Sequence, residues 1–119
     1  MSIAWNDNLP IYRQLKDRVM SMMLDGVLKP GDALPSVRQI AAEYQLNPIT
    51  VSRAYQELAD ENLVEKRRGL GMYMTDSARD KLLASERERF LNEEWPLVME
   101  RIRRLGLNTD DLLRKGEPQ

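Results

Sequence analysis

The sequence predicts a mainly α-helical fold with one short β-hairpin, and three observations lead to this class. Apolar residues recur every three or four positions over much of the 119-residue chain, which is the spacing of a helix face. Pro and Gly divide residues 1–75 into short segments, and such residues separate elements. A longer helical stripe follows in residues 76–119. Three helices and then a hairpin is the order of a winged helix-turn-helix.

The first helix is predicted to begin at Pro10, because the first turn of a helix does not need the N–H that proline lacks. Gly26 ends it, and a Pro-Gly turn at 30–31 follows. The apolar face between these limits comprises Ile11, Leu15, Val19, Met22 and Met23. This spacing predicts an amphipathic helix that covers one side of the core.

The second and third helices are predicted on either side of a tight turn. Pro35 and Ser36 begin the second helix, which ends near Gln45. Asn47 can cap the third helix, and Pro48 suits its first position. The inner face of the second helix comprises Val37, Ile40, Ala41 and Tyr44. The buried stripe of the third comprises Val51, Ala54, Tyr55 and Leu58, and its opposite face Ile49, Ser52, Arg53 and Gln56.

A hairpin is predicted after the third helix. Residues 63–66 form one strand, the Gly69–Gly71 segment turns, and residues 72–75 form the other. The tip is basic and carries Lys66, Arg67 and Arg68. Alone, such a charge run indicates a solvated edge; beside a helix-turn-helix it indicates phosphate contacts.

The remaining residues predict one long amphipathic helix over 76–105. Pro96 should kink or split it, and Gly106 should end it. Asn108 can cap a last short helix, and residues 115–119 are expected to be loose. The apolar residues of the long helix are Leu82, Leu83, Phe90, Leu91, Trp95, Val98, Met99, Ile102 and Leu105.

Composition excludes several classes of function. The chain has no Cys and no His, so thiolate or imidazole catalysis and Cys or His metal ligands are absent; we expect no catalytic residue, metal or cofactor. The net charge is −1, so any nucleic-acid site must be a local patch. The longest apolar run, 19–24, is too short to span a membrane. The N-terminus lacks a signal-peptide pattern, and the expected location is the cytoplasm.

Four motifs carry a resemblance to a known family. They are Leu-Pro-Ser-x-Arg-x-Ile-Ala at 34–41, Thr-Val-x-Arg-Ala-Tyr-x-x-Leu at 50–58, Gly-x-Gly at 69–71 and Pro-Ile-Tyr-x-Gln-Leu at 10–15. Over residues 9–75 the chain resembles the GntR family of bacterial transcription regulators. Its remainder is similar to the YtrA subfamily, whose members carry only a short helical dimerisation segment. The resemblance implies a DNA-binding domain at 1–75 and a dimerisation segment at 76–119.

The function implied is that of a homodimeric regulator of transcription, most simply a repressor. It would bind double-stranded DNA at a pseudo-palindromic operator and control an operon that encodes a transporter, in response to an unidentified small-molecule effector. The alternative is a winged helix that binds protein and has lost DNA contact. An enzyme is the third reading, but the sequence contains no nucleophile–base pair and no phosphate loop.

The expected DNA-binding residues lie on the second helix, the third helix and the hairpin. The resemblance assigns DNA contact to Arg38 and Thr50, and wing-tip positions to Gly69 and Gly71. Structural alternatives are a surface ion pair for Arg38, a capping contact for Thr50, and a pair with Glu57 for Arg53. The full set is Ser36, Arg38, Asn47, Ile49, Thr50, Ser52, Arg53, Lys66, Arg67, Arg68, Gly69 and Gly71.

Two positions depart from the family pattern. Pro48 stands where many members have a base-reading Arg, so the bidentate contact of Arg with guanine is lost there. Gln45 replaces the small residue common in the turn. Ile49 is left to contact a thymine methyl group.

The C-terminal stripe has two interpretations. The helix could fold back on its own core, or it could form a dimer interface, which we favour because a segment of this length cannot enclose large apolar side chains by itself. The expected dimerisation residues are Leu83, Phe90, Leu91, Trp95, Val98, Met99, Ile102 and Leu105.

Overall fold

The computed structural model describes residues 5–115 and confirms the winged helix-turn-helix. The elements are α1 (Ile11–Leu24), α2 (Val37–Tyr44), α3 (Pro48–Asp60), β1 (Val64–Arg67), β2 (Gly71–Met74), α4 (Ala78–Arg89), a π-helical turn (Phe90–Glu94), α5 (Trp95–Leu105) and α6 (Thr109–Lys115). The chain divides into two compact units, one through Leu83 and one from Ala84. Residues 1–4, and residues 116–119 of the tail that is expected to be loose, lie outside the described residues.

Capping residues set where the first three helices begin. Pro10 precedes α1 as its N-cap rather than lying within the first turn. Ser36 forms a capping box: its Oγ accepts from the Gln39 N–H at 3.0 Å, and Gln39 Oε1 accepts from the Ser36 N–H at 2.8 Å. Asn47 caps α3 through the Ile49 N–H at 2.9 Å, with Pro48 in the first turn, as predicted. The start of each helix is therefore encoded locally.

The turn between α2 and α3 depends on a left-handed residue. Gln45 has φ +55° and ψ +47°, a conformation that costs a non-glycine residue roughly 1–2 kcal/mol. It lets the N–H of Leu46 return to the carbonyl of Ala41 at 2.9 Å and aims the chain into α3.

The core of the first unit lies among α1, α2, α3, the hairpin and the start of α4. All four residues of the predicted α3 stripe are buried. Ala78 and Leu82 of α4 are buried in the same core, which is why the first unit continues past residue 75 to Leu83. The buried apolar residues are Leu15, Val19, Met23, Leu28, Leu34, Ile40, Ala41, Val51, Ala54, Tyr55, Leu58, Leu63, Val64, Met74, Ala78 and Leu82.

The hairpin is anchored to the segment that precedes α2. Its strands pair antiparallel from Val64↔Met74 to Arg67↔Gly71, one residue away from each predicted range. The 31–34 segment lies beside β2, where the N–H of Leu34 donates to the carbonyl of Met72 at 2.9 Å. Because α2 begins just after this segment, the hairpin and the start of α2 are held together.

The predicted C-terminal helix is interrupted just before Pro96. Ala78, not Asp76, begins α4, and the π-helical turn separates α4 from α5. The N–H of Trp95 bonds to the carbonyl of Phe90, five residues back, and Pro96 has no N–H to continue the α-helical ladder. This wider turn accommodates the proline without an abrupt end.

The second unit closes as the sequence predicts. Gly106 ends α5 with φ +66°, and Asn108 Oδ1 accepts from the N–H of Asp110 at 2.8 Å at the start of α6. Among residues 5–115, no helix is both long and apolar enough to cross a membrane.

Candidate nucleic-acid interface

The exposed side of α3 has two flanks with different neighbours. Val51, Ala54, Tyr55 and Leu58 occupy the buried side. One flank, with Ser52 and Gln56, faces the hairpin across a groove. The other flank, with Arg53 and Glu57, contacts α1. The helix therefore presents its outward residues between a wing and a supporting helix.

The groove brings together predicted site residues from three elements. Its volume is about 470 Å³. Ser36 lies at the start of α2, Ser52 on α3, and Lys66 and Gly71 on the wing. Its other lining residues are Leu34, Pro35, Val37, Gln39, Tyr55, Gln56, Leu70 and Met72. A positive charge and small hydroxyl donors along an open groove match the chemistry of a phosphate backbone.

The floor of this groove is fixed by a buried tyrosine. The Tyr55 hydroxyl donates to the carbonyl of Pro35 at 2.6 Å, joining α3 to the residue before the α2 cap. Burial raises the pKa of Tyr55 to about 12, with a smaller contribution from Tyr44. The hydroxyl is therefore a neutral, permanent donor that fixes the spacing between α2 and α3.

The first turns of α2 and α3 expose the residues expected to meet DNA. Arg38 is exposed, and its side chain forms no ion pair or hydrogen bond with any residue of the described chain. The surface ion pair considered as the alternative for Arg38 is therefore not formed within residues 5–115. Ile49 is 77% exposed, free to contact an apolar base edge. Asn47 uses its Oδ1 in the cap, and Thr50 is half-buried, its N–H bonded to the carbonyl of Asn47 at 2.9 Å.

Arg53 is held by two neighbours. Its guanidinium lies 3.7 Å from the centre of the Tyr12 ring, and Nη2 donates to the Tyr12 hydroxyl at 3.1 Å. Nε lies 3.7 Å from Glu57 Oε2, so the intrahelical pair expected as the alternative is present. The Arg53 side chain is still 62% exposed, so the pair does not remove it from solvent.

A buried lysine that sequence reasoning missed supports this flank. Lys16 Nζ lies 3.2 Å from Glu57 and 2.5 Å from Glu61. Burial alone would lower the pKa of Lys16, but hydrogen bonds to the two carboxylates and their charges outweigh it and raise the pKa. The signal in the sequence is the acidic pair Glu57 and Glu61, four residues apart at the end of α3, whose like charges repel unless a cation lies between them.

The wing carries one tethered and two untethered cations. Arg67 pairs with Glu65 at 3.2 Å and lies 4.2 Å from the centre of the Tyr73 ring. Lys66 and Arg68 have no ionic partner within residues 5–115. Gly69 and Gly71 have φ of +76° and +102°, which the turn requires. Leu70 at the tip, not predicted from sequence, is 67% exposed.

Residues 5–115 contain no group of three His, Cys, Asp or Glu side chains placed to hold a metal ion.

The second unit exposes most of the apolar residues expected at a dimer interface. Leu83, in the first unit, and Ile102 are half-buried. Phe90 and Trp95 pack together with ring centres 6.1 Å apart, yet both remain exposed. The exposed members of the expected set are Phe90, Leu91, Trp95, Val98, Met99 and Leu105.

Comparison with known proteins gives a family match over the winged domain. The model for bacterial regulatory proteins of the gntR family matches residues 11–74. The HTH-type transcriptional repressor YtrA of Bacillus subtilis is 45% identical over 74 residues, which are 62% of this chain and 57% of YtrA. This match thus spans little more than half of YtrA.

Two further similarities extend over nearly the whole chain. The HTH-type transcriptional regulator YhcF of Bacillus subtilis is 30% identical over 113 residues, covering 95% of this chain and 92% of YhcF. The structure of a GntR family transcriptional regulator from Listeria monocytogenes aligns with a TM-score of 0.74 and 27% identity, over 95% of this chain and 100% of that chain. The similarity therefore includes the C-terminal helices.

Proposed function

The chain belongs to the gntR family of bacterial regulatory proteins, and we propose that within this family it is a homodimeric repressor that binds a pseudo-palindromic operator. It is a DNA-binding transcription regulator; dimerisation, repression and the operator are the proposal. One observation carries it: in a chain of net charge −1, a groove beside the exposed face of α3 brings Lys66 of the wing together with Ser36 and Ser52.

We assign two kinds of DNA contact to this surface. Lys66, Arg67 and Arg68 contact phosphates, which gives affinity and salt dependence. Ile49, Ser52 and Arg53 on α3 face base edges in the major groove. The remaining contacts come from Ser36, Arg38, Asn47, Thr50, Gly69 and Gly71. With Pro48 in place of a base-reading Arg, sequence preference rests on Ile49, Ser52 and Arg53.

The apolar face of α5 supports the dimer. Trp95, Val98 and Met99 fall on one side of the helix, and each is about 40% exposed. Covering this face with a second copy removes apolar surface from water, at about 25 cal/mol per Å². Two-fold symmetry then presents two recognition helices to half-sites about 34–36 Å apart.

Repression follows if the operator overlaps a promoter, because a bound dimer excludes polymerase. The similarity to YtrA, a named repressor, supports this sign of regulation. The YtrA-like arrangement also favours a transporter operon as the target, with a small-molecule effector that changes the spacing of the two winged domains. A regulator of chromosomal genes works in the cytoplasm, where we place this protein.

A selection experiment tests the proposal. The full-length chain is incubated with random duplexes, and retained sequences are read after several rounds. We expect an enriched inverted repeat and an affinity that falls steeply as salt rises. Wild-type protein that enriches no sequence, yet captures a protein partner through the α3 face, would favour the protein-binding winged helix instead.

A further inference from the structure

We propose that Tyr12 is a positioning residue that holds the guanidinium of Arg53 ready to contact DNA. The inference rests on the proposed function, because it assigns α1 a part in reading the operator. The sequence predicts α1 only as a helix that covers one side of the core, and gives it no part in DNA recognition.

The contact between the two side chains restricts Arg53 in two ways. The Tyr12 ring lies 3.7 Å from the guanidinium carbon, a cation–π distance. The Tyr12 hydroxyl accepts a hydrogen bond from Nη2 at 3.1 Å. Stacking and one directed bond together select one rotamer of a side chain that otherwise samples many.

Two contacts between α1 and α3, one helical turn apart, restrain Arg53. Tyr12 and Lys16 lie one turn apart on α1, and Arg53 and Glu57 lie one turn apart on α3. Tyr12 contacts Arg53, and Lys16 contacts Glu57 at 3.2 Å. Glu57 also lies 3.7 Å from Arg53, so this second neighbour of the guanidinium is itself held by Lys16.

Although it is restrained, the Arg53 guanidinium can still bind DNA. Arg carries five N–H donors, and the described chain engages one in a hydrogen bond to Tyr12. The side chain is 62% exposed, so donors remain for a phosphate or a guanine edge. Since its rotamer is already selected, binding DNA loses less conformational freedom than it would for an unrestrained Arg.

Double-mutant analysis on the operator selected by the wild-type protein tests this. Arg53→Ala should weaken binding about tenfold, and Tyr12→Ala should weaken it several-fold. Tyr12→Ala should cause no further loss when Arg53 is already Ala, because only the pair couples the two positions. Tyr12→Phe, which keeps the ring, should lie between wild type and Tyr12→Ala.

The readout must separate positioning from folding. Base preference is therefore measured for each variant on a library of single-substitution operators, and urea unfolding is measured in parallel. Tyr12→Ala should flatten the same operator position that Arg53→Ala flattens. Arg13→Ala is the matched control, since Arg13 lies on α1 and its one ionic partner within residues 5–115 is Asp17; it should leave the preference unchanged.

Three outcomes would overturn the inference. Arg53→Ala with wild-type affinity would mean that Arg53 only joins α3 to α1, and the regulator proposal would survive because the wild-type protein still binds its operator. Equal losses from Tyr12→Ala with and without Arg53 would mean that Tyr12 acts through stability alone. If wild-type protein selects no DNA, the proposed function itself fails.

Discussion

The arginines of the candidate interface fall into two types according to their neighbours. Arg53 and Arg67 each lie between a tyrosine ring and a carboxylate. Arg38 and Arg68 have no ionic partner in the described chain. Tethering fixes the geometry of a contact, whether with a base edge at Arg53 or with a phosphate at Arg67, whereas an untethered guanidinium can follow a phosphate.

Arg38→Ala is expected to weaken operator binding by about 1–2 kcal/mol, measured by fluorescence anisotropy over a salt series. The unfolding free energy should change by less than about 0.5 kcal/mol, because no described residue depends on this side chain. Arg18→Ala, which removes an exposed charge from α1, is the control for net charge. Equal effects of the two variants would contradict an assigned contact at Arg38.

Tyr55 predicts an alkaline limit to stability. Its pKa is about 12 in the folded chain and about 10 when exposed in the unfolded chain. Its contribution is complete below pH 10 and is lost as the pH rises toward 12, by about 2 kcal/mol at pH 12. Urea unfolding at pH 8–12 measures the loss, and Tyr55→Phe should remove most of it.

The alkaline loss of stability that remains in Tyr55→Phe should come from Lys16, whose pKa is raised in the folded chain. Its contribution is complete below the pKa of the unfolded lysine, about 10.4, and is lost as the pH rises through the raised pKa. Lys16→Met should reduce that remainder. Parallel decline of the wild-type protein and Tyr55→Phe over pH 10–12 would show that the Tyr55 hydroxyl is not held in its neutral form.

At the scale of elements, the wing depends on backbone conformation more than on packing. A Cβ at Gly69 or Gly71 would meet no atom within 4 Å, so space does not restrict either position. Conformation does: φ is +76° at Gly69 and +102° at Gly71. Only the first lies near the left-handed region that Asn tolerates.

Gly71→Asn is therefore expected to lower the unfolding free energy by about 1–3 kcal/mol, and Gly69→Asn by less than about 1 kcal/mol. Thermal unfolding of the two variants measures the difference. DNA affinity should follow the same order if the wing contacts the duplex. A larger loss of stability in Gly69→Asn would contradict the strain assigned to the turn.

At the scale of the whole molecule, the exposed face of α5 predicts association. Trp95→Asp should raise the dimer dissociation constant by about thirtyfold or more, because the new carboxylate would lose its water in the interface. Leu97→Asp is the matched control: Leu97 lies on the opposite side of α5 and is 69% exposed. Sedimentation equilibrium of both variants measures the constants.

The same variants connect association to operator binding. A monomeric Trp95→Asp chain should keep its winged domain folded and bind a half-site, but lose most of its affinity for the full inverted repeat. Wild-type protein that sediments as a monomer at tens of micromolar and still binds the full operator tightly would exclude this role for α5.

The sequence alone determined the elements whose signals are local. Ser36 and Asn47 cap α2 and α3, Gly106 ends α5, and Val51 and Leu58 mark the buried stripe of α3. Each of these depends on residues within about one helical turn, so a linear pattern is enough to identify it. The exposed face of α3, which is one part of the candidate interface, follows from the same periodicity.

Only the tertiary structure decided which side chains meet across elements. Tyr12 contacts Arg53, and Lys16 contacts Glu57, each across 41 residues of sequence. The core likewise includes Leu82, beyond the predicted domain boundary. These pairings depend on how α1, α3 and α4 pack, and helical periodicity identifies the face that is buried but not the neighbour that covers it.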